Sequence, residues 1–232
     1  MTAAEQPPQL DWRDDLIPVS RQFDDPYFSL AGGLEETRHV FLAGNGLPGR
    51  FREGFQIAEL GFGTGLNLMA TLIAHRGPGR VSYTSFEAYP MPAADMARAL
   101  AAFDGLTEIA EPLLTQWASG ARVLQFPNVT ATIIVGDARE TLPRWDGQAD
   151  AWFLDGFSPA KNPELWSPEL MAEVARHTAK GGTFATYTAA GHVRRSLAEA
   201  GFSVSRAPGF GRKRHMTVGR LETQGGEPGV EG

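Results

Sequence analysis

Two rhythms of apolar and polar positions alternate along most of this chain. From Phe55 onward, short apolar runs are followed by stretches whose apolar residues recur every three or four positions. Phe55–Leu60, Val81–Phe86, Val129–Val135, Ala151–Leu154 and Thr183–Tyr187 read as strands, and their near-continuous apolar character suits strands buried on both faces. Leu66–His75, Ala93–Phe103, Pro168–Thr178 and Val193–Ala200 read as helices. Strands alternating with helices of this length predict right-handed βαβ units, hence an α/β fold with a mostly parallel sheet covered on both faces. Phe202–Ser205 and Met216–Leu221 add a closing pair of strands around a loop rich in Gly, Arg and Lys, for seven expected strands. Residues 104–125 break the rhythm and read as a helical insertion. Residues 1–54 read as an N-terminal elaboration packed on a core domain spanning 55–221, irregular from residue 10 with Asp-rich turns at Asp14-Asp15 and Asp24-Asp25-Pro26. Residues 1–9 read as a frayed start and 222–232, Gly-rich and polar, as a flexible tail.

Composition narrows the chemistry. With 42% apolar and 21% charged residues in 232, the chain is neither disordered nor fibrous and is long enough for a full core. The absence of cysteine excludes a disulfide scaffold, a Cys-ligated metal site and a thiol nucleophile. No apolar run approaches the ~18–20 residues of a membrane span, and no signal-peptide core follows Met1, so the expectation is a cytoplasmic protein without a membrane partner. A net charge of −6 argues against a nucleic-acid partner. That average hides an asymmetry. Between Arg176 and Arg220 nine Lys or Arg face one acid, Glu199, a net +8 that leaves −14 for the remainder. A basic C-terminal third on an acidic body is the distribution expected of a protein that grips phosphates with one region.

The first chemical signal is the segment Ile57-Ala58-Glu59-Leu60-Gly61-Phe62-Gly63-Thr64-Gly65-Leu66-Asn67. An apolar strand enters three alternating glycines and a helix follows, so the chain can turn tightly and bring backbone N–H groups close to a ligand. In dinucleotide-binding folds the third glycine falls one position later, where this chain has Leu66. Glu59 beside the turn would repel a pyrophosphate and suits a ligand with a cationic amino-acid end, such as S-adenosylmethionine (SAM). Glu87 ends the second strand, where a carboxylate can accept both ribose hydroxyls, and Asp137-Ala138 follow the third, where Asp137 can accept an adenine amino hydrogen. Each acid alone reads more readily as a helix cap or a solvated loop residue. Three at successive strand ends mark the ligand edge of an open α/β sheet. The fourth strand runs into Asp155-Gly156-Phe157-Ser158-Pro159-Ala160-Lys161-Asn162-Pro163, placed to contact an acceptor, with Asp155 able to bond an amine and Phe157 to stack on a base. His39, His75, His177, His192 and His215 are scattered without metal-ligand spacing, so no metal is expected. Trp117, Trp145 and Trp152 read as packing residues. Tyr27 and Phe28 read either as core or as cover for the cofactor.

At these residues the chain resembles the methyltransferase domain of the bacterial MnmC type. Further marks are Phe23-Asp24-Asp25-Pro26-Tyr27-Phe28-Ser29, Glu36-Thr37-Arg38-His39-Val40-Phe41, Trp166, Phe184-Ala185-Thr186-Tyr187-Thr188-Ala189-Ala190-Gly191, Val193-Arg194-Arg195 and Gly209-Phe210-Gly211-Arg212-Lys213-Arg214. The resemblance implies a Rossmann-like class I SAM-dependent methyltransferase. Its expected reaction methylates the exocyclic amine of 5-aminomethyl-2-thiouridine at the tRNA wobble position (34), giving 5-methylaminomethyl-2-thiouridine and S-adenosylhomocysteine. By the same resemblance Asp155 and Phe157 are catalytic. Glu59, Gly61, Gly63, Gly65, Asn67, Glu87, Asp137, Ala138 and Asp155 bind the cofactor. Lys161, Asn162, Trp166, Arg194, Arg195, Arg212, Lys213 and Arg214 face the acceptor or the RNA, with Trp166 walling the base pocket. The sequence stops soon after Leu221, so the expected form is a stand-alone methyltransferase without FAD, its amine supplied by a separate FAD-dependent oxidase or another enzyme. His192 and His215 depart from the residues usual in the family. The competing readings are a SAM-dependent N-methyltransferase for a small-molecule or protein amine, and a non-catalytic SAM- or RNA-binding module.

Overall fold

A computed structural model describes residues 6–29 and 32–222; the outermost parts of the expected frayed start and flexible tail, residues 1–5 and 223–232, lie outside the described residues. In chain order the structure runs β1 (Leu10–Arg13), β2 (Ile17–Ser20), β3 (Asp25–Pro26), α1 (Gly33–Thr37), β4 (Phe55–Leu60), α2 (Leu66–Ala74), β5 (Val81–Glu87), α3 (Ala93–Leu100) and α4 (Leu106–Ala118). It continues through β6 (Val123–Gln125), β7 (Val129–Val135), α5 (Ala138–Thr141), β8 (Ala149–Leu154), α6 (Pro168–Arg176), β9 (Thr178–Thr186), α7 (Gly191–Glu199), β10 (Phe202–Pro208) and β11 (His215–Leu221).

The main sheet has the order β10-β11-β9-β8-β4-β5-β7-β6. Its five central strands are parallel; at one edge β11 pairs antiparallel with β9 and β10 antiparallel with β11, and at the other β6 pairs antiparallel with β7. The α/β, Rossmann-like expectation of a mostly parallel sheet holds, with eight strands in place of seven. The extra strand is β6, three residues that pair with Thr130–Thr132 of β7. Sequence pattern missed it because three residues carry no period; α4 holds it instead. The Gln116 side chain accepts from the Gln125 N–H (2.8 Å) and donates to the Gln125 carbonyl (3.1 Å). The stretch expected to be purely helical is therefore a helix followed by an edge strand.

Alternation along the central strands divides the core between the two faces. Ile57 of β4 and Ala151 and Phe153 of β8 join α2, α3 and α4 in one apolar cluster. Ala58, Leu60, Trp152 and Leu154 join α6 and α7 in the other. Trp152, Phe153, Met69 and Leu197 are essentially inaccessible. Truncating a side chain such as Trp152 costs about 3–5 kcal/mol at sites of this kind.

The N-terminal segment, irregular by sequence, forms a small three-stranded sheet, β1-β2-β3. Asp14, Asp15 and Asp24 turn its corners at positive φ, a conformation that short Asp side chains tolerate. After α1 the helix widens over Arg38–Leu42 and tightens over Ala43–Asn45, and Asn45 is buried against β8 and β9 through bonds with the Trp152 carbonyl and Thr183 hydroxyl. No helix among the described residues is long and apolar enough to cross a membrane.

Candidate active site

Chain order reverses between β4 and β8. From β4 the chain builds β5 and β7 on one side, then crosses to β8 and β9 on the other. Open α/β sheets bind ligands outside the carboxyl ends of the strands at such a point. A cavity of about 800 Å³ lies there, lined by the glycine turn, the ends of β5, β7 and β8, the N-terminal aromatics and the 155–163 loop.

The glycine turn forms the floor. Gly61 and Gly63 line the cavity with φ of +84° and +54°, values costly for any other residue. A Cβ on Gly61 would meet the Gly156 backbone at 3.2 Å, and one on Gly63 would meet the Tyr27 ring at 3.1 Å. These glycines therefore let the 155–163 loop and the N-terminal segment close on the turn, in addition to opening it toward a ligand. Gly65 lies outside the lining and packs against Leu113 and Phe62, allowing α2 to start beneath.

Glu59 corrects the sequence reading. It is fully buried and does not line the cavity. Ser85 Oγ donates to its Oε2 and Asn67 Nδ2 to its Oε1, both at 2.7 Å. The same Asn67 amide donates to Asp155 Oδ2 at 2.8 Å. Glu59 thus fixes Asn67, and Asn67 faces the cavity beside Asp155. Desolvation pushes the Glu59 pKa up to about 8, against the opposing bonds from Ser85 and Asn67.

Asp155 faces the cavity, and its Oδ1 accepts the Gly156 N–H at 2.8 Å. Desolvation raises its pKa to about 6, a shift restrained by the bonds from Gly156 and Asn67. Glu87 is also buried at the cavity edge. Its Oε2 accepts the Gly63 N–H (2.8 Å) and its Oε1 the Tyr89 N–H (2.7 Å), while desolvation holds its pKa above the ordinary carboxylate value. Each oxygen retains acceptor capacity for a hydroxyl. Asp137 caps α5, accepting the Arg139 N–H at 2.8 Å, and its carboxylate pairs with the Arg139 guanidinium at 2.5 Å. That pairing lowers its pKa and leaves only its remaining lone pairs for an adenine amino group. Ala138 sits buried beside it on the wall.

The roof is the 155–163 loop. The Phe157 ring stacks on Phe23 (centroids 4.7 Å apart) and meets Tyr27 edge-on (5.0 Å). Asp25 Oδ2 accepts the Ser158 N–H (2.8 Å), and Lys161 pairs with Asp24 (2.5 Å). Asn162 and Lys161 line the cavity; Trp166 does not. The Trp166 indole is buried behind the loop and donates to the Phe157 carbonyl at 2.9 Å, so it braces the roof and does not wall a base pocket.

Of the basic residues expected at the acceptor, only Lys213 joins Lys161 on the cavity wall. Arg212 and Arg214 are exposed on the β10–β11 loop. Arg194 and Arg195 lie on α7, away from the lining. Glu36 and Tyr187 are among the lining residues that the sequence did not mark as site residues. Glu36 of α1 is buried against Lys213 (2.7 Å), and Tyr187 donates its hydroxyl to the Gly156 carbonyl (2.8 Å). Three of the five histidines serve the scaffold: His39, His75 and His177 each bond a backbone carbonyl. Among the described residues no cluster of His, Asp and Glu could hold a metal ion.

Carboxylates set for hydroxyls and amines, a glycine turn open to the cavity and an aromatic roof fit an adenosyl ligand with a charged amino-acid end. Comparison with known proteins agrees. Residues 104–222 match the family model described as S-adenosyl-L-methionine-dependent methyltransferase. The chain is 48% identical, over 92% of its length, to the tRNA 5-methylaminomethyl-2-thiouridine biosynthesis bifunctional protein MnmC of Pseudomonas paraeruginosa, and 47% identical over 95% to that of Stutzerimonas stutzeri. It spans only 35% and 36% of those proteins, about a third of each. Among solved structures, MnmC2 from Aquifex aeolicus superposes with a TM-score of 0.77 at 26% identity, covering 95% of this chain and 72% of that one. The chain belongs to the S-adenosyl-L-methionine-dependent methyltransferases.

Proposed function

We propose that this chain methylates the exocyclic primary amine of 5-aminomethyl-2-thiouridine at wobble position 34 of tRNA, giving 5-methylaminomethyl-2-thiouridine. The observation that carries this reading is the 48% identity to an MnmC protein over 92% of the chain, joined to a cavity that sets a carboxylate and an aromatic ring side by side. In this reading the acceptor amine comes from a separate FAD-dependent oxidase or another enzyme, and the reaction takes place in the cytoplasm.

Bound SAM supplies a methyl group already activated by its sulfonium. Glu87 would receive the ribose hydroxyls, Asp137 and Ala138 the adenine, and Asn67 with the glycine turn the amino-acid end. The remaining work belongs to alignment and to one proton. Proximity and orientation supply roughly 7–11 kcal/mol in reactions of this kind. An alkylammonium has no lone pair, so a proton must leave before the nitrogen can attack. Asp155, with its pKa at about 6, is largely ionised near neutral pH yet basic enough to hold that proton in passing. Phe157, backed by Phe23, Tyr27 and the Trp166 brace, offers a face for the base and excludes water.

The test is incubation of the purified protein with SAM and tRNA carrying the aminomethyl nucleoside, followed by nucleoside mass spectrometry. A gain of one methyl on that nucleoside is expected. Transfer to free amines with none to the tRNA would overturn the reading.

A further inference from the structure

Glu36 and Lys213 lie 177 residues apart in sequence and meet inside the cavity. The carboxylate of Glu36, a residue only 9% exposed, accepts from the Lys213 ammonium at 2.7 Å. The same ammonium stands over the Tyr187 ring, 4.6 Å from its centroid. Tyr187 is held in place by its hydroxyl bond to the Gly156 carbonyl, within the loop that begins at Asp155. A buried carboxylate and a fixed aromatic face around one nitrogen make a receptor for a primary ammonium. Lys213 itself arrives on a long, partly exposed side chain from the β10–β11 loop, the most basic segment of the chain.

We infer that Glu36 and the Tyr187 face form a subsite for a primary alkylammonium, which the Lys213 side chain of the free protein fills until a ligand displaces it. The inference rests on the methyltransferase reading, because two participants in that reaction carry such a group: the aminomethyl arm of the acceptor and the amino-acid end of the cofactor. Both would enter from the cavity that Glu36, Tyr187 and Asp155 share. Displaced from Glu36, the Lys213 ammonium swings outward beside Arg212 and Arg214, where phosphate of a bound RNA can receive it. The exchange trades one ammonium for another at Glu36, so the buried carboxylate is never left unpaired, which would be costly.

The experiment compares Glu36→Gln and Lys213→Met with wild type by calorimetric binding of S-adenosylhomocysteine and of 5′-methylthioadenosine, which lacks the amino-acid end. The Michaelis constant for the free aminomethyl nucleoside completes the set. Glu36→Gln should weaken one ammonium ligand by about tenfold, the scale of a lost charge-assisted hydrogen bond, while methylthioadenosine binding and the melting temperature report an intact fold. Loss confined to the nucleoside assigns the subsite to the acceptor; loss confined to S-adenosylhomocysteine assigns it to the cofactor. Unchanged values for both in a folded Glu36→Gln protein would overturn the subsite. Lys213→Met should bind the same ligand as tightly as wild type or tighter, and a loss equal to that of Glu36→Gln would overturn the displacement. Failure of wild type to methylate tRNA would count against the function and leave the binding comparison intact.

Discussion

Burial of Glu59 beneath the glycine turn sets how the free protein responds to pH. Its pKa rises from 4.5 to about 8, so between those values the folded protein keeps a proton that the unfolded chain releases. Stability therefore declines as pH rises through that window, by about 1.4 kcal/mol per pH unit for one such group, or roughly 3–6 °C in melting temperature for a chain of this size. Glu59→Gln should flatten the dependence of the melting temperature between pH 5 and 8, and an unchanged slope in the variant would reject this source. Asp155 makes the complementary prediction for activity. It takes a proton only when ionised, so kcat/KM should fall as pH drops through about 6. Asp155→Asn should lower kcat by about 10²-fold or more and remove that acid limb. A variant with wild-type rate excludes Asp155 from the chemistry. Both acids stood out in the sequence, yet only Asp155 lies on the cavity wall. The difference was legible in the alternation: Glu59 shares a face with Ile57 and points into the core. Nothing local marked Glu36 or the pairing of Asp137 with Arg139, because those depend on where distant segments and a capping turn bring the side chains.

The element that converts a SAM fold into this site is the 155–163 loop, and it is fastened from three directions. Trp166 holds it from behind, Asp25 from the N-terminal sheet and Tyr187 from the end of β9. Trp166→Phe keeps the buried ring and removes the bond to the Phe157 carbonyl, a loss of about 0.5–1.5 kcal/mol. The acceptor Michaelis constant should rise several-fold while S-adenosylhomocysteine affinity holds, as titration calorimetry and steady-state kinetics would show. Equal losses in both would mean that Trp166 supports the whole domain. Elements with a strong period, such as β4, β7 and α2, were readable nearly to their ends. β1 to β3, α1 and β6 were not, since each spans two to five residues and persists only through pairing or packing that sequence order hides.

At the scale of the whole molecule, the basic C-terminal third gathers on one side of the sheet, where β9, α7, β10 and β11 follow one another. Arg212 and Arg214 project from the β10–β11 loop beside the cavity residue Lys213. Reversing both to Glu should raise the tRNA Michaelis constant and flatten its salt dependence, by about one unit of slope for each phosphate no longer gripped. The Michaelis constant for the free nucleoside should not change; equal effects on both acceptors would show that the loop shapes the cavity and does not grip the RNA. Under the proposed function, this cavity directs methyl transfer to one amine at one tRNA position. The most direct measurement incubates the protein with deuteromethyl SAM and tRNA bearing 5-aminomethyl-2-thiouridine, then locates the label by mass spectrometry of nuclease fragments. One deuteromethyl group on the exocyclic nitrogen of residue 34, and none elsewhere, is the expected result. Label on another nucleotide, or on a ring atom of residue 34, would contradict it.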